Sequence, residues 1–117
     1  MNSENFLKEL SQLDKNLEKI LISETSYDGG ELLPYFVLAE MIRDILGRTT
    51  RQNSHRQVYE LFNYAFNCGD DELRNLIVSE FICTLFSIGE QKRELIFEIL
   101  DSDLRKVYEE LQKPRES

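Results

Sequence analysis

From Leu73 to Ile88 the sequence is apolar almost all the way round a helical wheel: Leu73, Leu76, Ile77, Val78, Phe81, Ile82, Leu85, Phe86 and Ile88. Only a narrow strip of Ser79, Glu80 and Cys83 interrupts it. A helix that is apolar on every side must be wrapped by other elements, so this segment is predicted to be the central, most buried helix. Asp70-Asp71-Glu72 opens it by offering an N-cap oxygen and negative charge to the positive end of the macrodipole. Glu80 is expected at the core's edge or facing a partner, because a lone buried carboxylate is costly.

The elements that must wrap it are also helical. Phe6, Leu10, Leu13, Leu17 and Ile20 recur at spacings of four and three, which predicts one core-facing helix over about Glu4 to Ile22. Glu24 to Gly30 reads as a turn, since its two glycines suit backbone angles that other residues avoid. Pro34 fits the first turn of a second helix running to Leu46, with Gly47 as terminator. On it Tyr35, Leu38, Ala39, Met41, Ile42, Ile45 and Leu46 form the apolar face, opposite Glu40, Arg43 and Asp44. Phe36 falls in the polar strip, either packed under a neighbouring loop or exposed as an aromatic anchor.

Ser54 and Gln57 have the spacing of a capping box for a third helix, whose buried stripe is Val58, Leu61, Phe62, Ala65 and Phe66. Cys68-Gly69 ends it. Beyond Gly89, Leu95, Ile96, Ile99 and Leu100, then Leu104, Val107, Tyr108 and Leu111, keep one apolar side across a break at Asp101-Ser102-Asp103. Residues 114–117 are expected to fray. No alternating apolar run bounded by hairpin turns exists to supply a sheet. The fold class is therefore all-α: one domain over residues 1–117, a compact bundle of five or six helices. A short α-solenoid-like stack of helix pairs is the alternative, disfavoured because no period of roughly 30 to 45 residues repeats.

Composition narrows function. With 22 acidic against 14 basic residues and a net charge of −8, the surface repels nucleic acid and anionic lipid and complements a basic protein. No stretch is long and apolar enough for a membrane span, and residues 1–5 lack the basic start and apolar run of a secretory signal. Cytoplasmic residence follows as an expectation, with Cys68 and Cys83 as buried free thiols rather than a disulfide. His55 is the sole histidine, read as a surface residue without a second ligand or triad partner. No phosphate loop, EF-hand pattern or nucleophile with its base can be assembled. An enzyme is not expected, nor a cofactor, metal or small-molecule substrate.

Two segments carry a resemblance: Asp28-Gly29-Gly30-Glu31-Leu32-Leu33-Pro34-Tyr35-Phe36, and Cys68-Gly69-Asp70-Asp71-Glu72-Leu73-Arg74-Asn75-Leu76-Ile77-Val78-Ser79-Glu80-Phe81. They resemble a family of small bacterial helical proteins without assigned function, with D-G-E-L-L-P-H and G-D-E-E-V-x-N-L-I stretches followed by a phenylalanine-containing helix. Tyr35 stands at that family's histidine, and Cys83 and Thr84 where it commonly has glutamate and asparagine. Such proteins look like immunity proteins of toxin and immunity pairs, including those of contact-dependent growth inhibition. The resemblance implies a chain that covers a cognate toxin domain, a basic nuclease fitting the charge. The residues expected to meet it are Asp28, Glu31, Phe36, Glu40, Asp44, Asp70, Asp71 and Glu72. An intracellular adaptor or regulatory module without a toxin is the alternative.

Overall fold

The computed structural model describes residues 1–26 and 33–116. Its elements are α1 (Ser3–Leu13), α2 (Lys15–Ser26), α3 (Pro34–Arg48), α4 (Arg56–Cys68), α5 (Asp71–Leu76), a π-helical segment (Ile77–Ile82), α6 (Cys83–Leu85), α7 (Glu90–Phe97) and α8 (Ser102–Glu116). The π segment joins α5 and α6 into one continuous rod, so the described residues form seven helices and no strand. The Cα radius of gyration is 14.0 Å, close to the about 13 Å expected of a close-packed chain this long. The helices form a bundle around one core, not an open stack.

The rod is the centre of that core, as its all-round apolarity requires. Leu73, Ile77, Phe81 and Leu85 are each fully buried, one every fourth residue. In a straight α-helix a strict spacing of four drifts about 40° round the axis per repeat. The π segment, Ile77–Ile82, has more residues per turn and so reduces that drift between Ile77 and Phe81. Phe81 stacks on Phe62 of α4 at 4.3 Å between ring centroids, and Phe62 meets Phe6 of α1 edge-on at 5.1 Å. Tyr59, three residues before Phe62 on α4, also stacks on Phe81, with centroids 6.0 Å apart. At the far end of the rod Tyr108 of α8 stacks on Phe86 at 4.4 Å and meets Phe97 edge-on.

The helix expected over Glu4 to Ile22 is instead two. Asp14 is extended, with φ −154° and ψ 130°, and its carboxylate accepts from the amides of Asn16 and Leu17 at 2.9 and 3.2 Å. Arg48, in the last turn of α3, grips the same carboxylate with both terminal nitrogens at 2.8 and 3.1 Å, while its Nε bonds Asp44 at 2.9 Å. Capping plus an arginine fork outweighs one more helical turn at this position. The fold back buries Phe6, Leu7 and Leu10 as well as Leu17, and leaves Leu13 at the corner 40% exposed.

The expected capping box also fails. Thr50 and Asn53 exchange hydrogen bonds, and the Asn53 side chain accepts from the His55 amide at 3.2 Å. That local turn holds His55 in the left-handed region, φ 53°, so α4 starts at Arg56 without a side-chain cap. Gly69 follows α4 because nothing larger fits: a Cβ there would lie 2.3 Å from the Ala65 carbonyl oxygen. Both cysteines are exposed, correcting the expectation of buried thiols. Cys68 is the last residue of α4, and Cys83 lies on the narrow polar strip of the rod.

Side chains also tie loose ends of the bundle. Arg93 donates to the carbonyls of Leu85 and Ile88, closing the C-terminus of the rod, and Lys92 donates to Leu46 at the end of α3. Asn63 donates to the Ile99 carbonyl and accepts from the Asp101 amide, while Asp101 caps α8 through Leu104. Inside, Thr49 donates to the Ile45 carbonyl at 2.7 Å, so the Tyr59 hydroxyl donates to Thr49 at 2.6 Å.

Two predictions follow from these clamps. Asp14→Ala removes a cap and an ion pair and should cost about 2 kcal/mol in urea unfolding. Burial pushes the Asp14 carboxyl up, but the Arg48 hydrogen bonds and the Leu17 amide outweigh it and hold it below its ordinary 3.8. A depressed carboxylate stabilises above the unfolded value and loses that contribution as pH falls through the folded one, so the variant should lose less stability than the parent below pH 3.8. Burial pushes the Tyr59 phenol up to about 12 from 10.0. Its neutral form is favoured by folding, a contribution fully present below pH 10 and lost as pH rises toward about 12. Tyr59→Phe should cost about 1 kcal/mol at neutral pH, yet lose on the order of 2–3 kcal/mol less across that alkaline window.

Candidate functional site

Helix α3 buries Val37, Leu38, Met41, Ile42, Ile45 and Leu46, a stripe of adjacent pairs that begins only after its first turn. Tyr35 and Phe36 precede the stripe. They are 53% and 55% exposed, beside Leu33 at 47%. Tyr35 was expected on the apolar face and instead points to solvent. Phe36 takes the exposed one of its two expected settings. The two rings tilt together with centroids 4.7 Å apart, which orders them without hiding them. One turn further, Glu40 holds Arg43 in an exposed ion pair at 3.0 Å. The result is a small aromatic patch with a charged edge, the composition of an interface anchor.

The other expected contact residues separate. Asp28 and Glu31 lie outside the described residues. Asp44 is committed to Arg48, so its charge is neutralised within the fold. Asp70 is the N-cap of α5, accepting from the Leu73 amide at 2.9 Å, while Asp71 and Glu72 are exposed in the first turn. This cluster sits where chain segments converge: the Asp70 amide donates to the Met1 carbonyl, and the Met1 amine donates to the Cys68 carbonyl at 3.1 Å. The acidic residues therefore fall into two places, Glu40 beside the aromatic patch and Asp70 to Glu72 at the junction of α1, α4 and α5. Glu80 is half-buried at the core's edge.

A second surface is a product of tertiary structure. Helices α1 and α4 run antiparallel, with Met1 against the end of α4 and Leu13 against its start. Three shallow depressions lie along the seam. One of about 400 Å³ is lined by Met1, Asn5, Lys8, Glu9 and Tyr64. The next, also about 400 Å³, is lined by Glu9, Gln12, Leu13, Gln57, Glu60 and Leu61. The last, about 460 Å³, is bounded by Leu13, Asp14 and the chain from Gln52 to Val58, including the left-handed His55. Glu9 belongs to the first two, and Leu13 and Gln57 to the last two, so they form one groove. Sequence reading missed it: Leu61, expected in the buried stripe, is only half-buried, and with Gln57, Glu60 and Tyr64, at three- and four-residue spacing, it marks a second, mixed stripe.

Among the described residues no three His, Cys, Asp or Glu side chains are grouped to hold a metal ion. No helix among them is long and apolar enough to cross a membrane. What these surfaces offer is apolar contact bordered by charge.

Over residues 4–114 the sequence matches the family described as a domain of unknown function, DUF7674. The chain belongs to that family. No curated protein and no solved structure matches it. The match runs from the first turn of α1 into α8, so it takes in the aromatic patch and all of the groove but Met1.

Proposed function

We propose that this chain is a cytoplasmic immunity protein that binds and neutralises a cognate bacterial toxin domain, a basic nuclease of a contact-dependent growth inhibition system. The observation that carries the reading is the exposed Tyr35–Phe36 pair beside Leu33 and the Glu40–Arg43 edge, within the segment whose sequence bears the resemblance to such proteins. Exposed aromatic pairs are costly to leave in water and are the residue types that dominate binding energy once covered. The net charge of −8 supports the sign of the partner: it speeds encounter with a cationic domain and disfavours nucleic acid as a competitor. In this reading Phe36 and Tyr35 enter a pocket on the toxin, Glu40 meets its basic rim, and Asp71 and Glu72 contribute to steering. Asp44 acts within the fold through Arg48.

Co-expression with the toxic C-terminal domain encoded beside this chain tests the proposal. Cells should survive with the parent and die with the double variant Phe36→Ala, Glu40→Lys. That variant alters only exposed side chains and should keep its helical circular dichroism while associating at least tenfold more slowly. Death of cells carrying the parent would overturn the immunity reading in favour of an adaptor without a toxin. Full protection by the variant would remove the aromatic patch from it.

A further inference from the structure

We propose that the corner between α1 and α2 is a two-state hinge. With the Asp14–Arg48 clamp released, α1 and α2 merge into one straight helix, and α1 exchanges into the core of a second copy of this chain. The proposal goes beyond the reading as a toxin-binding protein and stands independently of it.

Nothing local requires a corner at this point. Asp14 is the only non-helical residue between Ser3–Leu13 and Lys15–Ser26, and the stretch Ser11-Gln12-Leu13-Asp14-Lys15-Asn16 holds neither glycine nor proline. Phe6, Leu10, Leu13, Leu17 and Ile20 keep one helical phase straight through it. A merged helix gives the Asn16 and Leu17 amides the carbonyls of Gln12 and Leu13, and it removes two helix ends with their bare backbone groups. It also returns Leu13, 40% exposed at the corner, to the line of Leu10 and Leu17. What opposes merging is the clamp. The Asp14 carboxylate accepts from the Asn16 and Leu17 amides and is gripped by Arg48 of α3.

The second copy follows from what α1 covers. Helix α1 packs on α2, α3, α4 and α5, with Phe6, Leu7 and Leu10 buried and Phe6 edge-on to Phe62. Straightening within a single copy exposes these three side chains and the core beneath them, a loss larger than the hinge can offset. The α1 of another straightened copy carries the identical face into the same place. Every contact of α1 is then remade between copies, including the bonds from the Met1 amine to Cys68 and from the Asp70 amide to Met1. The two states differ only at the hinge and in the entropy of association, which is the condition under which protomers exchange an element. Removing the clamp penalises the folded corner alone, so it shifts the balance toward exchange.

Size-exclusion chromatography with light scattering on the full chain, over about two decades of concentration, reads the outcome as mass. The parent and Lys15→Pro should give the same mass. Asp14→Ala removes the clamp and favours helix, and should raise the fraction at doubled mass at least about tenfold over the parent. Arg48→Gln removes the arginine and leaves the cap; it should move the fraction in the same direction and serves if Asp14→Ala does not fold. Adding Lys15→Pro to either variant should restore the parent's mass. Lys15 is the first residue of α2, where proline is tolerated, and Asp14 already has the extended backbone that proline asks of its predecessor. In a merged helix the same ring removes the bond to Ser11 and clashes with the preceding turn. The proposal is overturned if both clamp variants keep the parent's mass over the whole range. It is equally overturned if the doubled mass persists with Lys15→Pro, as a dimer through an outer face such as the Tyr35–Phe36 patch or the α1–α4 seam would.

Discussion

The face-to-face contact of Phe62 and Phe81 is the contact on which the remaining architecture depends. It joins α4 to the π segment of the central rod, and Phe6 and Tyr59 each pack on one of its two rings. Aromatic side chains bury more area than any others and gain further from ring geometry. A row of four fully buried rings therefore sets the spacing of α1, α4 and the rod together. The π segment serves the same row. Its wider turn reduces the drift that a spacing of four would accumulate in a regular helix.

Around that row, long-range hydrogen bonds from side chains set where each helix stops. Asp14 with Arg48, Arg93 with Leu85 and Ile88, Lys92 with Leu46, and Asn63 with Ile99 and Asp101 each satisfy backbone groups or charges that a helix end leaves bare. These clamps have a functional consequence. They consume Asp14 and Asp44 within the fold through Arg48, so the acidic total of the chain overstates the charge at its surface. What remains outward is localised: Glu40 near the aromatic pair, Glu9 and Glu60 along the groove, Asp71 and Glu72 at the junction between α4 and α5.

The surfaces left over share one physical character. At the start of α3 and along the α1–α4 seam, apolar groups are held in fixed positions beside carboxylates. Such surfaces gain by excluding water over the apolar part, while charge at the margin directs approach and rejects partners of the wrong sign. Protein recognition, as proposed above, requires no reactive group and would cover the exposed rings of Tyr35 and Phe36.

The helical class, the buried rod and the Asp70 cap were legible in the sequence, because helical periodicity and capping are local: they depend on residues within a turn or two of one another. The exposed setting of Phe36 was legible as an alternative from its place in the polar strip. What the tertiary structure alone decided came from residues far apart in the chain. Asp14 reads locally as one more polar position on a long helix, and it becomes a corner because Arg48, 34 residues on, reaches it. Ser54 and Gln57 have capping spacing, but the turn built by Thr50 and Asn53 fixes His55 first. Tyr35 belongs to an apolar wheel, yet the buried stripe of α3 begins beyond it. The groove is the clearest case: Glu9 and Leu13 acquire meaning only beside Glu60, Leu61 and Tyr64, since a seam between two helices exists in neither helix alone.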